Sequence, residues 1–184
     1  MSSIIDYTDR ATCVLFGDGA GAVVLQACEP GQGVHAIEMH SDGELGEVLE
    51  VPAGISRNPA SDATVTAREH FIRMQGKKLY PFAVRSMEEA TRRCAELAGW
   101  APSDLDLLVP HQANLRINEM VAKQLGFPPE RVVHNIQRYG NTTAASIPIA
   151  LHEAVKQGHL REGMNVMLVG FGVGLSWAAA MVRW

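Results

Sequence analysis

Two polar motifs each lie where an apolar strand gives way to a helix, and this alternation limits the folds open to the chain. The first motif spans residues 110–117 (PHQANLRI) and follows the apolar run Leu107 to Val109. The second spans residues 139–148 (YGNTTAASIP) and follows the brief apolar pair Val132-Val133. Buried apolar strands that alternate with helices imply a mixed sheet covered on both faces. We therefore predict a single α/β domain.

The amino-terminal quarter predicts β-structure. Apolar, β-rich runs at Thr12–Phe16 and Ala22–Ala27 flank the glycine-rich sequence Gly17–Gly21, which is typical of an antiparallel hairpin. Alternation over Val34–His40 predicts a third strand. Residues 41–61 are rich in Gly, Pro, Ser and Asn without periodicity, and so predict an extended loop.

Helical spacing of apolar residues dominates the rest of the chain. It predicts helices from Gly76 to about Leu97, from Asn114 to Leu125 and from Thr143 to Gln157. Further strands are predicted at Phe71–Met74, Leu107–Val109, Val132-Val133, Asn165–Val169 and Leu175–Val182, with a turn at Gly170–Gly174.

His111 and Asn141 are the candidate functional pair, because each follows a strand at the edge where ligands gather in α/β folds. A His and an Asn presented side by side can donate two hydrogen bonds to one carbonyl oxygen and stabilise an oxyanion. A lone His in this position is commonly structural, but four polar residues follow His111 within seven positions and favour function.

Other chemistry is poorly supported by the sequence. Cys13, Cys28 and Cys94 lack a helix start or a basic neighbour that would make a thiolate, so no nucleophile is evident. We expect no metal, since the zinc-like sequence beginning at His152 has Lys156 where a second His is needed. Gly17–Gly21 lacks the ending of a phosphate loop.

Bulk composition excludes several classes of partner. The formal net charge of −4 argues against general nucleic-acid binding. The first ten residues do not resemble a signal peptide, and the longest apolar run is too short and too interrupted to span a membrane. An odd number of cysteines without a CxxC pair favours a reducing compartment, so we expect a cytoplasmic protein.

With these motifs the chain resembles the carboxyl-terminal half of β-ketoacyl-[acyl-carrier-protein] synthase III, a thiolase-fold condensing enzyme. The matching stretches are residues 15–22 (LFGDGAGA), 109–117 (VPHQANLRI), 140–148 (GNTTAASIP) and 170–177 (GFGVGLSW). The resemblance implies a thiolase-like α/β fold in which residues 1–184 form one half of a duplicated unit. It also implies a mixed five-stranded sheet covered by helices on both faces.

The resemblance implies a decarboxylative condensation of an acyl-CoA primer with malonyl-acyl-carrier protein in fatty acid initiation. His111 and Asn141 match the family's catalytic His and Asn, which hold the malonyl thioester carbonyl while carbon dioxide leaves. Phe171 falls beside the reacting thioester, and the backbone N–H of Val173 falls in a second oxyanion hole. The substrates are thioesters and no cofactor is implied.

The same resemblance assigns ligand contacts near the first motif. Asn114 is implied as a pantetheine contact, with Gln112, Ala113 and Leu115 beside it. Arg116 and Lys123 are implied as contacts to acidic acyl carrier protein. Their spacing of seven places both on one helix face, and this pattern alone favours a solvated surface over a basic patch for an acidic partner.

The family's nucleophilic Cys belongs to an amino-terminal half that has no match here, so we expect a fragment that is inactive in isolation. We expect the complete protein to be a homodimer that binds coenzyme A thioesters and carrier protein, without nucleic acid or membrane. Two alternatives stay open: a non-catalytic thiolase-like module, and a related condensing enzyme of polyketide or quinolone synthesis.

Overall fold

The computed structural model describes residues 1–184, apart from the side chain of Pro102. Its helices and strands are β1 (Gly33–Ser41), β2 (Leu49–Glu50), α1 (Asp62–Thr66), β3 (Arg73–Met74), α2 (Gly76–Ala98), β4 (Leu107–Pro110), α3 (Leu115–Leu125), α4 (Ile136–Tyr139), α5 (Ser146–Lys156), β5 (Asn165–Gly172) and β6 (Ser176–Arg183). The predicted α/β class is confirmed.

The main sheet is mixed, as predicted, with strand order β1-β6-β5-β4. β6 pairs antiparallel with both β1 and β5, whereas β4 runs parallel to β5. The predicted count of five strands is wrong for the described residues, where four strands pair in this sheet. Val132 forms a single bridge to Leu108 rather than a strand, because the chain leaves the sheet edge after one residue.

The predicted hairpin at residues 12–27 is wrong. Residues 12–15 form turns, Phe16 forms a single bridge to Asn141, and residues 17–28 have no regular structure. A Cβ atom on Gly17 would lie 2.1 Å from the carbonyl oxygen of Tyr139, so this glycine permits close backbone contact rather than a hairpin turn. The side chains of Val24 and Leu25 are 92% and 83% exposed. An apolar run forms a β-strand only where a neighbouring strand is available to pair with it.

Two short strands stand where the sequence predicts one strand and a loop. β3 occupies the end of the predicted Phe71–Met74 strand and pairs with β2, which lies inside the predicted loop of residues 41–61. The pairing holds Leu49 and Ile72 in a small apolar cluster with Ile5. Leu49, Glu50 and Met74 of these strands line a cavity at the carboxyl ends of β4 and β5.

Helices lie on both faces of the sheet, as expected. α2 packs against β1, β5 and β6, with α3 beside it, and buries the predicted apolar stripe. α5 packs over β4 on the opposite face. The rest of that face is an open groove of about 710 Å³, where Ile37 and Met39 of β1 are 57% and 74% exposed. Within the described part of the chain, every helix is too short or too polar to cross a membrane.

Candidate functional site

The two polar motifs meet in one cavity of about 610 Å³ at the carboxyl ends of β4 and β5. His111, Asn141, Phe171 and Val173 all line it. His111 and Asn141 are 30 residues apart in the sequence. The parallel pairing of β4 with β5 places His111 at this edge. Asn141 follows α4 rather than a strand, and its bridge to Phe16 holds it in the same cavity.

His111 is held from both its backbone and its ring. It directly follows β4, and its backbone N–H donates to the carbonyl of Val169 on β5 at 2.7 Å. Its ring Nδ1 lies 2.6 Å from the hydroxyl Oγ of Ser146, the first residue of α5. Burial lowers the pKa of His111 to about 4. The ring is therefore neutral at pH 7 and carries one N–H donor.

Asn141 is fixed by backbone contacts to the amino-terminal segment. Its N–H donates to the carbonyl of Leu15 at 2.7 Å, and its own carbonyl accepts from Gly17 N–H at 3.0 Å. Gly140 makes this approach possible, since its φ is +68° and an added Cβ would lie 2.8 Å from the Leu15 oxygen. Glycine adopts such backbone conformations without the penalty other residues meet.

The amide of Asn141 has a defined orientation. The backbone N–H of Thr143 lies 2.9 Å from its side-chain oxygen Oδ1, and an N–H group can only donate. The amide nitrogen Nδ2, with two hydrogens, is left for the cavity. Thr143 has a φ of +52°, which is unusual for a β-branched residue and typical of functional turns.

Phe171 and Val173 lie on the side of the cavity formed by β5 and the turn after it. The Phe171 ring packs against Phe82 of α2 with centroids 5.9 Å apart, which holds it at the cavity wall. Val173 lines the cavity with a side chain that is 58% exposed. The predicted turn at Gly170–Gly174 starts later than expected, because β5 continues to Gly172.

Gln112 corrects one expectation. It is fully buried, and its amide bridges the loop by donating to the carbonyls of Pro110 and Val133 and accepting from Asn135 N–H. A side chain engaged in this way holds the loop that presents His111 and is not free to bind pantetheine.

Two of the three neighbours of Gln112 that are implied in ligand binding lie at the cavity. Ala113 and Asn114 line it, and the Asn114 side-chain oxygen caps α3 by accepting from Arg116 N–H at 2.9 Å. Leu115 is 39% exposed on the outer surface of α3. The capping bond engages the Asn114 side-chain oxygen and leaves its amide nitrogen without a capping role.

Arg116 and Lys123 are both exposed on α3. The Tyr80 hydroxyl lines the cavity and donates to the backbone carbonyl of Arg116 at 3.3 Å, so Arg116 lies at the cavity mouth. Lys123 lies about two turns farther along the helix. Among the described side chains, neither cation is paired with a carboxylate.

Two parts of the site escape sequence reasoning. Ser146 belongs to the second motif, but its contact with His111 is between residues 35 apart and leaves no local signal. The β2 residues Leu49 and Glu50 line the cavity from a segment whose composition predicts only a loop. Across the described residues, no group of three His, Cys, Asp or Glu side chains is placed to hold a metal ion.

Comparison with known families supports the family resemblance of the sequence motifs. The model described as "3-Oxoacyl-[acyl-carrier-protein (ACP)] synthase III C terminal" matches residues 95–184. A second model, "3-Oxoacyl-[acyl-carrier-protein (ACP)] synthase III", matches residues 1–43. Together they account for well over half of the chain, including both ends.

Individual relatives agree with the family models. The chain is 49% identical to the beta-ketoacyl-[acyl-carrier-protein] synthase III of Symbiobacterium thermophilum over 184 residues, which are 100% of this chain and 56% of the relative. It resembles the crystal structure of 3-oxoacyl-(acyl carrier protein) synthase III from Pseudomonas aeruginosa PAO1 with a TM-score of 0.88 and 45% identity, covering 100% of this chain and 55% of that one.

A third relative is named for a polyketide pathway. The structure of the priming beta-ketosynthase from the R1128 polyketide biosynthetic pathway matches with a TM-score of 0.80 and 31% identity, covering 99% of this chain and 54% of that one. In each of these relatives the chain spans little more than half of the length. The thiolase-like fold that the family resemblance implies is confirmed by these neighbours.

Proposed function

The chain belongs to the 3-oxoacyl-[acyl-carrier-protein] synthase III family, and we propose that it supplies the His and Asn half of a condensing active site. The observation that carries the proposal is the cavity in which a neutral His111 and the Nδ2 group of Asn141 are both available as donors. Two aligned donors stabilise negative charge on a carbonyl oxygen as it forms.

We propose that the reaction joins an acyl-CoA primer to malonyl-acyl-carrier protein. A cysteine thiolate takes the acyl group and releases coenzyme A. The malonyl thioester then loses carbon dioxide, and its electron pair forms an enolate whose oxygen accepts hydrogen bonds from His111 and Asn141. The enolate carbon attacks the acyl-cysteine carbonyl, the thiolate leaves, and a 3-oxoacyl-carrier protein results. Phe171 and the backbone N–H of Val173 would line the path of the acyl thioester.

The thiolate must come from outside residues 1–184. Cys13 is half-buried and Cys28 exposed, and none of the three cysteines lies at a helix start. Burial raises the pKa of Cys94, which disfavours its thiolate. We propose that the segment of the relatives that this chain does not span supplies the nucleophile and covers the open groove beside β1. The complete protein would be a homodimer.

Carrier protein would approach the mouth marked by Arg116. Exposed cations at the mouth would attract an acidic carrier, while Ala113 and the amide nitrogen of Asn114 would contact the pantetheine arm. The three cysteines are free thiols, which supports a cytoplasmic location.

A related condensing reaction of polyketide synthesis is the second candidate. It is favoured by the likeness to the R1128 priming beta-ketosynthase. The His and Asn roles are the same in both reactions, so the candidates differ in the primer accepted. A non-catalytic binding module is a third, and it predicts no turnover under any condition.

The test joins this chain to the segment of the Symbiobacterium thermophilum relative that the match leaves out. We expect the fused protein to condense acetyl-CoA with malonyl-carrier protein and the 184-residue chain alone to show neither turnover nor a stable acyl adduct by intact mass. A folded fusion without condensation, for any acyl-CoA primer, would contradict the proposal and favour the binding module. Condensation restricted to primers outside fatty acid initiation would favour the polyketide alternative.

A further inference from the structure

Ser146 makes the contact that decides which nitrogen of His111 carries the proton. Ser146 is only 2% exposed, so the hydroxyl lies in a site that is shielded from water. Among the described residues its hydroxyl has two polar partners, the backbone N–H of Gln112 at 3.2 Å and His111 Nδ1 at 2.6 Å. The hydroxyl has one hydrogen to donate and two lone pairs that accept.

The two partners leave one consistent arrangement. The Gln112 N–H can only donate, so Oγ accepts there and its own hydrogen remains for His111. If Nδ1 carried the proton, the ring would also donate to Oγ, and the buried hydroxyl hydrogen would lack an acceptor. An unsatisfied buried donor is costly, so Nδ1 is the acceptor.

We propose that Ser146 is a positioning residue that donates to Nδ1 and holds His111 as the Nε2–H tautomer. The Nε2–H group is then the ring's donor to the substrate oxygen. This inference rests on the proposed function for its catalytic meaning, although the tautomer itself is a property of this chain alone.

The same short turn orients both donors of the site. Thr143 N–H fixes the Asn141 amide so that Nδ2 is free, and three residues later the Ser146 hydroxyl fixes the His111 ring. The turn leads directly into α5, whose packing over β4 anchors it. A rigid turn that sets two donors at once lowers the reorganisation needed when charge develops.

The first test measures the tautomer by two-bond ¹⁵N–¹H correlation NMR on the chain with ¹⁵N-labelled histidine. The chain has seven histidines, and the His111→Gln variant assigns the resonance of interest. At pH 7 we expect a protonated Nε2 and a bare Nδ1. Ser146→Thr keeps a hydroxyl and should keep this state, whereas Ser146→Ala should give a mixture. A protonated Nδ1 in the unaltered chain would overturn the inference.

The second test uses the fused protein described above. Ser146→Ala should lower malonyl decarboxylation about tenfold, the equivalent of one lost buried hydrogen bond. Acyl loading should be unchanged, and Ser146→Thr should restore decarboxylation. These readouts separate a positioning role from a general loss of structure, which would lower both steps.

The two proposals fail in different ways. If His111→Ala leaves decarboxylation intact, the proposed function is wrong, whatever the tautomer. If His111→Ala cripples the step but Ser146→Ala does not, only the role of Ser146 is wrong. Equal losses in Ser146→Ala and Ser146→Thr with an unchanged tautomer would also overturn it.

Discussion

The turn at residues 140–146 and the segment at residues 22–27 are both short, irregular and rich in small or apolar residues, yet they differ in what holds them. The turn is tied by hydrogen bonds to Leu15, Gly17 and His111. Residues 22–27 make no backbone hydrogen bond to any other described segment, and Val24 and Leu25 are almost fully exposed. The turn is held in place because the groups that it hydrogen-bonds to lie within the same chain.

The two regions also differ in the kind of side chain that they present. The hydrogen-bonded turn holds the polar groups of the candidate site, whereas the exposed segment and the open groove beside β1 carry apolar side chains such as Ile37 and Met39. Contiguous exposed apolar surface is characteristic of an interface. We therefore expect changes in the turn to alter chemistry and changes in the open region to alter assembly.

The largest effect that this comparison predicts is on decarboxylation. In the fused protein, His111→Ala or Asn141→Ala should slow malonyl decarboxylation by about a hundredfold or more, because each removes one donor to the enolate oxygen. Acyl loading of the cysteine should change far less. The measurement is release of carbon dioxide from malonyl-carrier protein, with loading followed by intact mass.

His152 provides the matched control for that prediction, since it is an exposed histidine on α5. His152→Ala should leave both steps within about twofold, in keeping with a surface substitution. If both site variants lowered loading as far as decarboxylation, the assigned division of roles would be wrong.

The next effect is on stability as a function of pH. Burial lowers the pKa of His111 to about 4, against about 6.5 for an unfolded histidine. Between these values the unfolded state binds more protons, so the free energy of unfolding should fall as the pH falls from 6.5 towards 4. The stabilisation is present above pH 6.5, and about 3 kcal/mol of it should be lost by pH 4.

Urea unfolding at a series of pH values provides the measurement. His111→Gln should flatten this part of the profile, because glutamine does not titrate. An unchanged slope in the variant would mean that other groups carry the dependence. His134 is one such group, because burial lowers its pKa as well, and His134→Gln separates its share.

Sequence reasoning succeeds where local patterns and local partners coincide. Helix α2 ends at Gly99, which adopts a left-handed conformation, and Asn114 caps the start of α3. Both helices therefore form close to their predicted bounds. The hairpin fails because the apolar run at residues 22–27 resembles a strand, but strand formation depends on a neighbour that a local pattern does not specify. The two motifs locate His111 and Asn141, while the contacts of Ser146 and Gln112 arise from tertiary structure.

One glycine in the turn and one just beyond residues 22–27 give the third prediction. Gly140 and Gly31 both have positive φ, but an added Cβ meets the Leu15 oxygen at 2.8 Å in the first case and nothing within 4 Å in the second. Gly31→Ala should lower the free energy of unfolding by about 1 kcal/mol, because alanine disfavours a positive φ. Gly140→Ala should lower the free energy of unfolding by about 3 kcal/mol, because the added Cβ also pushes apart the backbone bridge between Phe16 and Asn141.

Chemical denaturation of the fused protein checks the difference between these variants. Gly140→Ala should also reduce decarboxylation, whereas Gly31→Ala should not. Equal destabilisation by the two substitutions would show that the close approach of residues 15–17 to the turn contributes little.

The smallest effect concerns carrier-protein recognition at the cavity mouth. Arg116 is near the mouth through its backbone contact with Tyr80, and Lys123 lies farther along the exposed face of α3. Steering by exposed cations raises association rates and weakens as salt shortens the Debye length. Arg116→Glu should raise the Michaelis constant for malonyl-carrier protein by about fivefold at low salt, an effect that 0.5 M salt should largely remove.

Lys123→Glu should have a smaller effect than Arg116→Glu, because its charge is farther from the entering pantetheine arm. Arg161 is the control, since it is exposed before β5, at the end of that strand opposite the cavity. Charge reversal at Arg161 should alter neither substrate. The Michaelis constant for acyl-CoA tests whether the effect is specific, because this substrate lacks the acidic carrier. Equal increases for both substrates, or increases that do not depend on salt, would assign Arg116 and Lys123 to solvated surface rather than to carrier recognition.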